Sequence, residues 1–125
     1  MVKIAVYGSL KKGFYNYRSD MGEPIAHGTV RGEMHLAYSY PHLYSLEDSD
    51  PELVRDHPVE VYAIGDEYYR MILGMELGAG YTPHEIEIVD NGVAHKAIIF
   101  YTRPDVGRRD NFIEGYTREL LNTVY

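Results

Sequence analysis

Val2 to Tyr7 (Val-Lys-Ile-Ala-Val-Tyr) is an apolar, β-branched run that stops abruptly at Gly8, which predicts a core strand ending in a loop. That loop runs Gly8-Ser9-Leu10-Lys11-Lys12-Gly13 into the aromatic stretch Phe14-Tyr15-Asn16-Tyr17. From Thr29 to Tyr38 apolar and polar positions partly alternate. Val30, Gly32, Met34, Leu36 and Tyr38 fall on one face and Arg31, Glu33 and His35 on the other, the period of a long strand. Ser45 to Pro58 is acidic and bracketed by Pro41 and Pro58, as expected of a surface excursion. Val59 to Ile64 resumes as a strand. Asp66 is then placed to cap a short helix, with Tyr69, Ile72 and Leu73 spaced as one apolar stripe. Glu76 falls at or just past that helix end, and Gly78 and Gly80 break it. Glu85 to Val89 and Ala94 to Tyr101 form a hairpin around Asp90-Asn91-Gly92, a two-residue turn signal. A helix from about Asp110 to Asn122 closes the sequence.

This order has too few strand–helix alternations for a doubly wound sheet. It predicts an α+β class, a small mixed β-barrel-like sheet with flanking helices, as a single domain over 1–125. Composition fits: 125 residues, 45% hydrophobic and 25% charged, are those of an ordinary globular chain. A chain this long buries roughly two-thirds of its unfolded surface and needs no metal or disulfide staple. There is no cysteine, which removes thiolate nucleophiles, cysteine-ligated zinc and iron–sulfur clusters. With no signal-like N-terminal region and no run of ~18 apolar residues, the expectation is a cytoplasmic protein without a membrane span. The formal charge of −7 opposes nucleic-acid binding. Thirteen tyrosines beside three phenylalanines offer half-polar rings for a pocket, although such rings also suit any partly buried strand.

Two segments carry candidate chemistry. In Tyr7-Gly8-Ser9-Leu10-Lys11-Lys12-Gly13 a strand ends in glycine, and the following N–H groups are free to form a nest for carboxylate or phosphate oxygens. A plain Gly/Ser turn is the alternative. The spacing is not that of a nucleotide phosphate loop, and Ser9 lacks the Gly-x-Ser-x-Gly elbow of a nucleophile. In Ile72-Leu73-Gly74-Met75-Glu76-Leu77-Gly78-Ala79-Gly80-Tyr81 a single carboxylate sits among apolar residues and glycines. Desolvated there, it would have the raised pKa of a general base; a solvated glutamate at a helix end is the alternative.

Taken together, Tyr7-Gly8-Ser9-Leu10 after an N-terminal strand, Lys12-Gly13 and Asn16, Tyr40-Pro41-His42-Leu43, the strand Val59-Glu60-Val61-Tyr62, and Met75-Glu76-Leu77-Gly78-Ala79-Gly80-Tyr81 resemble the gamma-glutamylcyclotransferase-like family over about residues 2–101. The resemblance implies a small β-barrel with flanking helices and no cofactor. It implies a small-molecule γ-glutamyl substrate, bound by Tyr7, Gly8, Ser9 and Leu10, with Tyr81 and Tyr101 facing the same cavity. Glu76 matches the family's acid/base glutamate. Intramolecular attack of the substrate's α-amine would then release 5-oxoproline from a γ-glutamyl amine or amino acid. Leu73 stands where many members carry aspartate, and Thr82-Pro83 where an arginine often follows the tyrosine, which leaves the amine half of the substrate open.

The rival readings are a non-catalytic binding or regulatory protein using the same cavity and a hydrolase or amidotransferase acting on a related amide. His27 and His35 share a strand face but lack a third ligand at metal spacing, so no metal is expected. The acidic run Glu47 to Asp56 lacks the ligand order of a calcium loop, and Arg103, Arg108 and Arg109 read as surface charge.

Overall fold

The computed structural model describes residues 1–8, 21–37, 40–105 and 109–115. Six strands form one curled, mixed sheet: β1 (Val2–Val6), β2 (Ala26–Ala37), β3 (Tyr40–Tyr44), β4 (Arg55–Ile64), β5 (Tyr81–Asp90) and β6 (Val93–Thr102), in the order β3-β2-β4-β1-β6-β5. Helix α1 (Asp66–Gly78) joins β4 to β5. All pairings are antiparallel except β1 with β6.

β1 is central, and its run Ile4-Ala5-Val6 is apolar because it is buried on both faces. Ala5 and Tyr7 join the core inside the curl with Val30, Met34, Val61, Ile99 and Tyr101. Ile4 and Val6 turn to the opposite face, where Tyr62, Ile64, Phe100 and Ile72 of α1 pack. The two outer ends of the sheet approach each other, making it a half-barrel. The His27 N–H donates to the Asp90 carboxylate at 2.9 Å, and a Cβ on Gly28 would stand 2.5 Å from Cγ2 of Ile88. Only a glycine lets β2 come this close to β5.

Several elements differ from the sequence reading. β2 begins three residues earlier than Thr29. Tyr38 lies outside the described residues. β3 has no legible strand pattern in the sequence, because it is only five residues long and includes a proline; as an edge strand it tolerates Pro41. The excursion after Ser45 is shorter than expected: two 3₁₀ turns, Leu46–Asp48 and Pro51–Leu53, lead into β4 at Arg55. Pro58 sits inside β4 opposite Thr29, before β1 pairing begins at Glu60, so β4 has a neighbour on one side only at this point, where a proline is tolerated.

Gly65, not Asp66, is the N-cap of α1, and Asp66 is its first residue, where a negative charge suits the helix dipole. The helix runs on to Gly78, so Glu76 lies within its last turn. Gly80, at φ 95, stops it in the left-handed region. The hairpin turns at Asn91 and Gly92 as expected, with φ 51 and 78, but its strands are ten residues each.

No helix starts at Asp110. Within 109–115, Phe112 forms a bridge to His35, Leu36 donates to Asn111 and Ile113 donates to Met34, while 116–122 lie outside the described residues. This segment covers the polar face of β2, so Glu33 and His35 are buried at 2% exposure each instead of facing solvent. Arg109 is correspondingly not mere surface charge: it donates to Glu33 at 3.1 Å. Arg108 is outside the described residues. Among those described, no helix is long and apolar enough to cross a membrane.

Candidate active site

β1 ends at Val6, and the chain leaves the sheet through Tyr7 and Gly8. The Tyr7 ring is buried, with its hydroxyl donating to the Phe100 carbonyl oxygen at 2.5 Å. Gly8 crosses the Pro41 ring of β3 so closely that a Cβ would stand 2.9 Å from its Cγ. From the other side Tyr81, the first residue of β5, donates to the Pro41 carbonyl oxygen at 2.8 Å. These contacts tie the ends of β1, β3, β5 and β6 around a cavity of about 540 Å³, closed on one side by the last turn of α1 with Met75, Glu76 and Ala79. A volume of this order suits a small-molecule ligand.

Glu76 is partly buried in this wall, and its carboxylate has no hydrogen bond or ion pair among the described residues. Burial pushes its carboxyl from the ordinary 4.5 up to about 7, because no fixed cation or N–H offsets the lost hydration of the anion. At neutral pH the group therefore exists in both protonation states, the condition for taking and returning a proton. Tyr7 is pushed the other way from ionisation. Its burial first, then the negative charges available at Tyr81, Glu76 and Tyr101, raise its pKa well above 10.0, so it stays a neutral hydrogen-bonding phenol.

Of the residues singled out in the sequence, Tyr7, Gly8, Glu76 and Tyr81 line the one cavity. Ser9 and Leu10 lie outside the described residues. Tyr101 does not line this wall. Successive residues of a strand point to opposite faces, and on β6 it is Phe100 that reaches the cavity, while Tyr101 packs in the core beside Tyr7 and borders a separate depression with Thr29 and His84. The sequence reading gave no role to the β3 wall of Tyr40, Pro41 and His42. Tyr40-Pro41-His42-Leu43 carried part of the family resemblance, but the run is too brief to register as a strand.

The sequence matches the family model of the AIG2-like gamma-glutamyl cyclotransferases over residues 4–118. The chain belongs to that family. Solved structures share the fold. An uncharacterized protein from Pyrococcus horikoshii superposes with a TM-score of 0.67 at 21% identity, covering 99% of this chain and 97% of its own. An AIG2-like protein from Mus musculus gives 0.64 at 18% identity, covering 94% and 88%. No curated protein matches the sequence. Within the AIG2-like cyclotransferase fold, the cavity sits where the strand end of β1 meets the last turn of α1.

Proposed function

We propose that this protein is a gamma-glutamylcyclotransferase-type enzyme that releases 5-oxoproline from a γ-glutamyl amine or γ-glutamyl amino acid, with Glu76 as general base and then general acid. The observation that carries the reading is the Glu76 carboxyl: unpartnered among the described residues, desolvated, poised near pH 7 and in the same cavity as Tyr7 and Gly8. The substrate's α-carboxylate is held by backbone N–H groups around Gly8 to Leu10. Glu76 takes a proton from the α-ammonium group, and the freed amine attacks the γ-carbonyl carbon to close a five-membered ring. As the bond to the leaving nitrogen breaks, the protonated Glu76 delivers its proton there. Two protons pass in turn from the α-nitrogen to the leaving amine, so the charges balance without a co-reactant.

Nucleophile and electrophile belong to one molecule, and the enzyme's task is orientation and proton transfer, which needs no cofactor. Incubating the protein with a panel of γ-glutamyl amines and amino acids and following 5-oxoproline by mass spectrometry tests this. The expected product is 5-oxoproline plus the free amine. Free glutamate in its place would mean hydrolysis, and saturable binding without either product would mean a binding protein.

A further inference from the structure

Among the described residues, four side chains besides Glu76 bring polar atoms to the cavity lining: Tyr7, Tyr40, His42 and Tyr81. The phenol protons of Tyr7 and Tyr81 are committed to the carbonyl oxygens of Phe100 and Pro41. Tyr40 is at the rim, 45% exposed. His42 is placed differently. Its ring lies parallel to that of Tyr81, with centroids 5.6 Å apart and planes 7° from coplanar, and its Nδ1 stands 3.4 Å from the buried hydroxyl of Thr102. Contacts from β5 and β6 thus fix the plane of a ring carried on β3, and Nε2 has no partner among the described residues. Burial, helped by His35 across the strand pair, lowers the His42 pKa from 6.5. At neutral pH the ring is uncharged and carries one proton and one lone pair.

We propose that His42 is a second catalytic residue of this cavity: Nδ1 accepts a hydrogen bond from the Thr102 hydroxyl, which leaves the ring proton on Nε2, and Nε2–H donates to the γ-carbonyl oxygen of the substrate. The assignment rests on the cyclotransferase reading above. When the α-amine attacks, the carbonyl π electrons move onto that oxygen. They return when the bond to the leaving amine breaks, and a donor fixed at the oxygen stabilises the state between. Preorganised donors of this kind act more strongly in a desolvated site than in water, because they need no reorientation as charge develops. An uncharged imidazole suits the position. A cation there would repel the substrate's α-ammonium group and pull the Glu76 pKa down, weakening the base.

The test is steady-state kinetics of 5-oxoproline release by the wild type and by His42→Ala, His42→Gln and Thr102→Val, with melting temperatures and ¹⁵N NMR of the His42 ring. Loss of one such donor lowers kcat by ~10²-fold, with KM within about threefold. His42→Gln, whose amide N–H reaches towards the Nε2 position, recovers part of the loss, and Thr102→Val falls between Ala and wild type. The ring signals show the proton on Nε2. A folded His42→Ala enzyme with undiminished kcat, a loss confined to KM, or a ring protonated on Nδ1 overturns the assignment. If His42→Ala does not fold, the Gln variant and the ring spectrum decide. A wild type that releases no 5-oxoproline from any γ-glutamyl compound overturns the proposed reaction itself and this assignment with it. Turnover by the wild type with turnover intact in His42→Ala removes His42 alone.

Discussion

The Glu76 carboxylate has no fixed partner among the described residues, and that lack is what makes it useful. Its raised pKa of about 7 requires that kcat/KM climb tenfold per pH unit below that value and level off above it, since the ionised form is the base. Glu76→Gln keeps the shape and removes the base. It is expected to lower kcat by ~10²–10⁴ and to abolish the pH inflection, as measured in the 5-oxoproline assay. The same substitution stabilises the fold. A carboxyl whose folded-state pKa lies above its ordinary 4.5 gives its full contribution below that value and loses it as pH rises through about 7. Glu76→Gln should therefore melt higher than wild type at pH 8, with the advantage narrowing towards pH 4.5; a constant offset across that range would show that Glu76 is not desolvated. Ser9→Ala keeps the backbone N–H and loses at most a hydroxyl contact of ~0.5–1.5 kcal/mol, so kcat/KM should fall no more than about tenfold. A glutamyl adduct on Ser9 detected by mass spectrometry during turnover would instead make it the nucleophile.

The elements that sequence patterning revealed are those whose periodicity reports a simple environment. β1 reads as a buried run, the Asn91-Gly92 turn is specified locally, and Ile72 of the α1 stripe is buried as its spacing indicates. β3 and the start of β4 were illegible because their prolines are tolerated only through edge positions that long-range pairing creates. Glu33 and His35 misled for a related reason: what covers them comes from 109–113, far away in sequence. Glu76 and Tyr7-Gly8 were readable as motifs, whereas His42 needed the sheet to bring β3, β5 and β6 together. The curl itself rests on Gly28. A methyl there meets Ile88, so Gly28→Ala should cost ~1–3 kcal/mol of overpacking in urea denaturation. Pairing it with Ile88→Ala should recover part of that cost. Additive losses in the double variant would mean that the two strands do not press on each other at this point.

At the scale of the whole molecule, a buried polar cluster holds the 109–113 segment against β2. Glu33 accepts from the Asp50 backbone N–H at 2.7 Å and from Arg109 at 3.1 Å, and its other oxygen is 2.5 Å from Nε2 of His35. The Arg109 guanidinium lies 3.9 Å over the Tyr44 ring. Burial alone would raise the Glu33 pKa, but the hydrogen bonds from Asp50 and His35 and the charge of Arg109 together bring it below 4.5. A carboxylate with a depressed folded-state pKa contributes stability that is complete above its unfolded value, roughly 4.3, and is lost as pH falls through the folded value. The protein should accordingly unfold in acid, with a steep dependence below about pH 4.3 that Glu33→Gln flattens. At pH 7 the same variant exchanges charge-assisted hydrogen bonds for neutral ones and should lose ~1–3 kcal/mol. Arg109→Ala should lose less, because that guanidinium is partly solvated, while exposing the 109–113 backbone to faster hydrogen exchange. Exchange at 109–113 that does not change in Arg109→Ala would mean that the segment is held by its backbone bonds to Met34 and Leu36 alone.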